Sequence, residues 1–369
     1  MEKIVLFGGT FNPITQEHIN IIKTLASKKD VLKVIVVPTY LPPHKKSYQI
    51  YFQHRVNMLN IALNGIKKVE VSLFEIEQKR AVYSWETVTY FKNLYPNNQL
   101  CFAMGTDMLY TFNQWKNPSI IVSLADIILF RRASSDKTLK AIASFEKTYN
   151  KKVIIEDYVS QDISSTEIRV KKMLNLPLLG LTDEKVIKYI YSNNLYVGDR
   201  FYNYVCQVLP QKRRNHTAGV ILCALELAKT LNLDQRQAEI GALLHDNAKY
   251  LNPTNYKNFK CEKVPSSVVH QFLGAYIAKE QLCILDEEII TAIKYHTTGR
   301  ANMTLLEKVI FMADIIEVSR TFSGVERLRE LTYKNFDIGF TESVKDLYNS
   351  LEQDRYFLTE ECYKYYVKE

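Results

Sequence analysis

The chain has 369 residues, 47% of them apolar and 24% charged, and a net charge of +8. These proportions exclude a disordered tail, a low-complexity filament and a collagen-like repeat, and the length points to two domains of ordinary size. The six cysteines, at 101, 206, 223, 261, 283 and 362, form no CxxC pair, so neither a zinc ribbon nor a disulfide framework is signalled and a reducing compartment is expected.

The apolar run at the N-terminus is too short for a signal peptide. The longest apolar run, 119–130, is broken by Asp126 and falls far short of the roughly 20 residues a membrane span needs. The expectation is a cytoplasmic protein without a membrane segment. Charge is uneven: residues 1–197 carry 26 Lys/Arg against 17 Asp/Glu, and the remainder 22 against 23. The surplus either serves solubility or attracts a polyanionic ligand to the first domain. No nucleic-acid-binding motif surrounds the basic residues, so nucleic acid is not expected as a partner. Self-association is left open.

In chain order, β-branched and apolar runs predict strands at 3–7, 34–38, 69–73, 100–104, 126–130 and 153–156. Helical spacing of apolar residues predicts helices at 18–26, 55–64 and 84–94. Strands separated by helices at this spacing imply an α/β doubly wound parallel sheet. After Leu195 no strand is recognised, and amphipathic helices are predicted at 216–231, 233–244, 267–280, 287–295, 304–319 and 340–352. The second half therefore reads as all-α, with a boundary at 197–199 and domains of 1–197 and 198–369.

The first strand runs into Gly8-Gly9-Thr10-Phe11-Asn12-Pro13-Ile14-Thr15-Gln16-Glu17-His18 and then a helix. Glycines let backbone approach a ligand closely. A helix start offers free N–H groups and a positive dipole end, which suit a triphosphate.

Taken whole, Gly-Gly-Thr-Phe-Asn-Pro-Ile-x-x-x-His resembles the signature of adenylyltransferases related to class I aminoacyl-tRNA synthetases. More narrowly, it is similar to that of the bacterial nicotinate-mononucleotide adenylyltransferases. Pro42-Pro43-His44-Lys45, Arg55–Leu59, Tyr83–Thr87, Gly105-Thr106-Asp107, Trp115-Lys116 and Ile163–Arg169 match further segments of that family, as does the closing helix 186–196. The resemblance implies adenylyl transfer from ATP to nicotinate mononucleotide, with Mg²⁺ held mostly by the phosphates. It implies ATP contacts from Gly8, Gly9, Thr10, Phe11, Thr15, His18, Gly105, Asp107, Ser164, Ser165, Thr166 and Arg169, with Thr15, His18 and Arg169 acting in catalysis. Asn12, His44, Lys45, Thr87 and Trp115 are implied on the mononucleotide side, Trp115 with core packing as a rival role. The attacking phosphate is already an anion, so catalysis there is positioning plus charge stabilisation.

This chain departs from the family's His-x-Gly-His, having Thr15-Gln16-Glu17-His18. Thr15 occurs at the equivalent place in the sister pantetheine-phosphate adenylyltransferases. Glu17 sets a carboxylate beside a phosphate site: turned inward it weakens ATP binding, turned to solvent its effect is small. The alternative is a degenerate nucleotide-binding sensor in which only the second domain is active.

In the second half, His216, His245-Asp246, His270, His296 and Asp314 fall on successive predicted helices. Asp314 has apolar neighbours on both sides and is expected to be buried, which is costly without a partner. Imidazole and carboxylate donors suit iron, manganese, zinc or cobalt, and spacing does not choose among them. The order His…His-Asp…His…His…Asp resembles the HD phosphohydrolases, closest to the subgroup that hydrolyses symmetrical dinucleoside tetraphosphates. The matching segments are Arg213-x-x-His216, Leu-Leu-His-Asp-x-x-Lys, His270 with Gly274-Ala275, His296-Thr297-Thr298-Gly299 and Ala313-Asp314-x-x-Glu317. The resemblance implies one metal on His216, His245, Asp246 and Asp314, and a second on His270 and His296 with Asp246 bridging. Asp246 is then essential to hydrolysis of diadenosine tetraphosphate to ADP, by a water that two metals activate. Lys249, Thr297 and Arg300 are candidate phosphate contacts. The rival substrate is a guanosine alarmone, against which the His-Thr-Thr-Gly segment argues.

Overall fold

The computed structural model describes residues 2–40, 50–131, 136–158, 162–261, 264–351 and 356–367. It divides into two compact units, one of residues 1–169 and 178–196, the other of 170–177 and 197–369.

The first unit contains six strands, β1 (Lys3–Gly9), β2 (Val31–Pro38), β3 (Val69–Val71), β4 (Gln99–Gly105), β5 (Asp126–Arg131) and β6 (Ile154–Asp157). Its helices are α1 (Gln16–Ser27), α2 (Phe52–Leu63), α3 (Phe74–Glu77), α4 (Ser84–Leu94), α5 (Thr106–Tyr110), α6 (Pro118–Leu124), α7 (Asp136–Tyr149), most of the first turns of α8 (Ser165–Met173), and α9 (Glu184–Ser192). The strands form one parallel sheet in the order β3-β2-β1-β4-β5-β6. Side chains alternate strictly between two cores. Val5, Phe7, Val34, Val36, Cys101 and Ala103 enter one, while Ile4, Leu6, Ile35, Val37, Leu100, Phe102 and Met104 enter the other. Apolar residues on both faces explain why these strands read as continuous apolar runs rather than alternating ones.

The strand order reverses direction between β1 and β4. The crevice beyond the carboxyl ends of strands at such a switch point is where open α/β sheets bind ligands. Gly8-Gly9 and Gly105 end those two strands.

The second unit is helical: α10 (Arg200–Val208), α11 (Gln211–Thr230), α12 (Gln235–Leu244), α13 (Val269–Glu280), α14 (Glu287–Tyr295), α15 (Leu305–Ile316), α16 (Val325–Lys334), α17 (Phe336–Ser350) and α18 (Phe357–Val367). Side chains of Asp199, Asp234, Asp286 and Thr304 cap the starts of α10, α12, α14 and α15 by accepting first-turn N–H bonds, an arrangement that sets where each helix begins. Helix α11 packs on α12 and α15, and α14 packs on α12, α13 and α15. Five helices thereby surround one centre.

The run 119–130, expected only as an apolar stretch ending in a strand, divides into α6 and β5 around Ala125. Strand β3 stops at Val71; the Ser72 N–H still donates to Val36 O of β2 at 2.9 Å, while its Oγ accepts the Phe74 N–H at 3.2 Å as α3 begins. Among the described residues no helix is long and apolar enough to cross a membrane, and all six cysteines are free.

Candidate active sites

The loop after β1 is tied down carbonyl by carbonyl. Arg55 Nη1 donates to Thr10 O at 2.8 Å, Arg169 Nη1 to Asn12 O at 2.8 Å, Ser165 Oγ to Pro13 O at 2.8 Å and Thr182 Oγ1 to Ile14 O at 2.7 Å. A trans peptide points its N–H away from its carbonyl. Fixing the Thr10 and Pro13 carbonyls therefore turns the Phe11 and Ile14 N–H groups the opposite way, as an anion-binding backbone requires. Tyr196 donates to Asn12 Oδ1 at 2.7 Å, so the last residue of the first unit locks the loop near its start. A Cβ on Gly9 would lie 2.8 Å from the Phe11 ring, and one on Gly105 2.7 Å from an Asp107 carboxylate oxygen. A side chain at either glycine would have to displace the Phe11 ring or the Asp107 carboxylate, whereas a Cβ on Gly8 would meet only Val37 O, at 4.0 Å.

Thr15 caps α1. Its Oγ1 accepts the His18 N–H at 3.2 Å, and its own N–H donates to His18 Nδ1 at 3.0 Å. With Nδ1 an acceptor, the neutral imidazole carries its proton on Nε2. Phe11 packs edge-on against that ring, centroids 5.1 Å apart. Ser164 caps α8 by accepting the Glu167 N–H at 3.0 Å, and Thr166 Oγ1 accepts from Arg169 Nη2 at 3.1 Å. The signature at 8–18 and the signature at 163–169 thus meet on one loop. Arg55 was matched in sequence but given no task, and it is 4% exposed and holds Tyr40 O as well as Thr10 O. Burial pushes its pKa down, partly offset by Tyr196. An arginine inside an apolar helix pattern was the available signal.

Glu17 does not reach solvent. It is 3% exposed and accepts a hydrogen bond from Tyr158 OH at 3.0 Å. Burial, and then Glu17 itself, push the Tyr158 pKa up to about 12, which keeps it a donor. Tyr158→Phe is expected to cost about 1–3 kcal/mol of stability, the range for removing the hydrogen-bond partner of a buried polar group. Urea unfolding that matches wild type would contradict this.

Thr87 is buried, and its hydroxyl donates to Glu75 at 2.7 Å. Trp115 packs on Phe112 and Phe102, with ring centroids 5.2 and 6.2 Å away, so the core-packing role is observed. His44 and Lys45 lie outside the described residues. Burial pushes the Glu75 carboxyl up to about 7, against a smaller lowering by Thr87. A folded-state pKa above the unfolded one means the native state binds more protons between pH 4.5 and 7, so stability falls as pH rises through that window. Glu75→Gln is expected to match wild type at pH 4.5 and to exceed it by roughly 3 kcal/mol at pH 8, from two to three pKa units at about 1.4 kcal/mol each. Denaturant titration at the two pH values checks the sign.

In the second unit all six predicted ligands converge. His216 lies on α11, His245 and Asp246 follow α12, His270 is in the first turn of α13, His296 follows α14, and Asp314 is near the end of α15. His216 Nε2 is 3.4 Å from His245 Nε2 and 2.9 Å from Asp314 Oδ1. His270 Nε2 is 3.3 Å from His296 Nε2 and 3.3 Å from Asp246 Oδ1, while Asp246 Oδ2 lies 3.4 Å from His245 Nε2. Two buried donor triads result, His216-His245-Asp246 and Asp246-His270-His296, sharing Asp246.

The protonation pattern fits metal binding. His245 Nδ1 meets Ala242 O at 2.6 Å, His296 Nδ1 meets Ile293 O at 2.8 Å and His216 Nδ1 meets a Glu317 oxygen at 3.0 Å. Each acceptor holds the ring proton on Nδ1 and leaves the Nε2 lone pair facing the others. Pairs of imidazole lone pairs this close repel unless a cation lies between them. Burial holds the His245 pKa down and that of His270 down to about 4. For Asp246, burial alone would raise the pKa, but His245, His270 and His296 together hold it well below the usual carboxylate range. His216 differs: burial lowers its pKa, but Asp314 and Glu317 together hold it above the usual imidazole value. Neutral imidazole and ionised carboxylate are the ligand forms, so a cation at His216 would take the place of a proton.

Asp314 is less buried than expected. It keeps 17% exposure and pairs with Arg320 as well as His216. The centre opens on that side, where Arg213 approaches Asp246 Oδ2 at 2.8 Å. Lys249 Nζ is 3.1 Å from His270 Nε2, and Thr297 Oγ1 is 3.0 Å from His296 Nε2. Arg300 is elsewhere engaged, with the buried Glu307 at 2.9 Å and over the Tyr295 ring at 5.0 Å. The cations at the rim are thus Arg213, Lys249 and Arg320. Arg320 carried no sequence signal, because it lies past the end of α15.

Residues 6–171 match the Cytidylyltransferase-like family and residues 213–319 the HD domain family. A probable nicotinate-nucleotide adenylyltransferase/Ap4A hydrolase of Mycoplasma genitalium is 29% identical over 94% of this chain and 98% of its own length. A probable nicotinate-nucleotide adenylyltransferase of Endomicrobium trichonymphae is 34% identical over 53% of this chain and its whole length. The symmetrical bis(5'-nucleosyl)-tetraphosphatase of Bacillus subtilis is 39% identical over 38% of this chain and 81% of its own length. The sheet with its tied-back loop and the helical unit with its cluster of four histidines and two aspartates make this chain a member of two families at once, the nicotinate-nucleotide adenylyltransferases through its first half and the HD-type symmetrical bis(5'-nucleosyl)-tetraphosphatases through its second.

Proposed function

We propose that the chain is a two-activity enzyme. The first unit transfers an adenylyl group from ATP to nicotinate mononucleotide, giving deamido-NAD and pyrophosphate, and the second hydrolyses diadenosine tetraphosphate symmetrically to ADP. The observation that carries the reading is a relative named for both activities that aligns with 94% of this chain and 98% of itself.

In the first reaction a phosphate oxygen of the mononucleotide attacks the α-phosphorus of ATP, and the bond to pyrophosphate breaks. His18 donates from Nε2 to the ATP phosphates, a role supported by its Nδ1 being taken by Thr15. Gly8 to Phe11 bring backbone close to the triphosphate, and the Ser164-Ser165-Thr166 turn with Arg169 supplies donors and charge on the β/γ side. Gly105 and Asp107 border the nucleoside. Asn12, Thr87, Trp115, His44 and Lys45 remain the mononucleotide side of this reading. Mg²⁺ accompanies the triphosphate, held mostly by phosphate and water. Glu17, already bonded to Tyr158, forms part of the wall, which favours a working site over a decayed sensor.

In the second reaction His216, His245, Asp246 and Asp314 hold one metal, and His270 and His296 with Asp246 a second. Iron is the first choice and manganese, cobalt or zinc the alternatives. Bound metal supplies Lewis acidity and a water of lowered pKa. Asp246 orients both halves of the centre, while Lys249, Thr297, Arg213 and Arg320 meet phosphate at its open rim. The reading includes a cytoplasmic setting, supported by six cysteines that are all free.

The test is a substrate panel on the full chain. Deamido-NAD from ATP and nicotinate mononucleotide, and ADP alone from diadenosine tetraphosphate, are the expected products. ATP plus AMP from the tetraphosphate, or turnover of a guanosine alarmone in its place, would overturn the second assignment.

A further inference from the structure

We infer that Glu317 is a positioning residue of the metal centre, built to hold His216 through a hydrogen bond that His245 and His296 obtain from backbone. The inference rests on the metal-binding reading above.

His245 and His296 each follow the last turn of a helix. Their Nδ1 atoms meet the carbonyls three residues earlier, Ala242 O and Ile293 O, which are among the carbonyls a helix end leaves unsatisfied. His216 has no such carbonyl to use. It sits within α11, residues Gln211–Thr230, where carbonyls are spent on the helix's own ladder. Its Nδ1 partner therefore comes from another helix, and that partner is the Glu317 carboxylate at 3.0 Å, at the end of α15.

Glu317 is held as tightly as what it holds. It is 1% exposed, and it accepts the Ser319 N–H at 2.7 Å and the Ser319 hydroxyl at 2.5 Å. The facing helix is cut to fit. Gly219 lies three residues after His216 on the same face of α11, and a Cβ there would stand 2.2 Å from Glu317 Oε2. Glycine is a poor helix former, so its presence inside a 20-residue helix is accounted for by the carboxylate it admits.

The consequence is chemical as well as geometric. A carboxylate acceptor draws the Nδ1 proton more strongly than a carbonyl does and makes Nε2 a better donor to a metal. It also fixes the ring orientation. His216 becomes the strongest imidazole ligand of the centre, and Glu317, Ser319 and Gly219 are the device that makes it so.

The experiment measures Co²⁺ affinity of the full chain by competition with a chromophoric chelator, with bound metal counted by elemental analysis and folding followed by circular dichroism. Glu317→Ala is expected to weaken binding about 10- to 100-fold, the range for removing such a partner. Glu317→Gln, whose amide oxygen still accepts a hydrogen bond, is expected to recover part of that loss. Gly219→Ala should act in the same direction by displacing the carboxylate, and it is read in place of Glu317→Ala should the latter not fold. Affinities of these variants within twofold of wild type, with fold intact, would overturn the inference while leaving the two-activity reading standing. A wild-type chain that binds no Co²⁺ would instead overturn the metal reading on which both rest.

Discussion

Asp246→Ala is expected to reduce diadenosine tetraphosphate hydrolysis by at least about 1,000-fold, because it would remove the one side chain common to both donor triads of the proposed two-metal centre. Asp246 Oδ1 lies 3.3 Å from His270 Nε2 and 3.7 Å from His296 Nε2, while Oδ2 lies 3.4 Å from His245 Nε2. No other described side chain belongs to both triads. Elemental analysis of the purified variant should show metal falling with activity. Adenylyl transfer should be unchanged, since the first unit has its own site. Wild-type metal content with lost activity would make Asp246 a base rather than a ligand, and unchanged hydrolysis would refute the centre altogether.

Arg169→Ala is the matching experiment on the first unit. Its guanidinium donates to Asn12 O and Thr166 Oγ1, so it joins the two halves of the phosphate loop and brings positive charge to it. A loss of about 100- to 1,000-fold in kcat for dinucleotide formation is expected, the range for removing a preorganised donor to a charged transition state. Arg169→Lys should recover little, because a lysine cannot span two acceptors with a planar fork. Hydrolysis of the tetraphosphate is expected to stay within twofold of wild type. A small effect on dinucleotide formation would make Arg169 a loop tether only.

Much of this was legible in the sequence, for identifiable reasons. The buried parallel strands stood out as apolar runs because both faces of the sheet are covered, and the candidate metal ligands stood out because a histidine or aspartate amid apolar helix residues needs a partner. Two helices of the first unit went unrecognised for different reasons. Helix α7 was missed as a pattern, yet β5 and β6 are parallel neighbours, and a parallel pair demands a crossover that only residues 136–149 could supply. Helix α6 was hidden inside an apolar run that periodicity cannot divide.

Side-chain commitments were the least legible. Arg300 and Lys249 are both cations close in sequence to predicted ligands, yet Arg300 neutralises the buried Glu307 whereas Lys249 reaches His270. Glu17 read as a threat to phosphate binding, because its partner Tyr158 lies 141 residues away. Glu317 was visible as part of a spacing, but its task needed the third dimension, where Gly219 and His216 face it from another helix.

The most direct test of two independent activities in one chain is a single mixture of ATP, nicotinate mononucleotide and diadenosine tetraphosphate, with deamido-NAD and ADP quantified chromatographically for wild type, Asp246→Ala and Arg169→Ala. Wild type should form both products, Asp246→Ala only the dinucleotide and Arg169→Ala only ADP. Absence of either product from the wild-type reaction, or loss of both in one folded variant, would contradict the account.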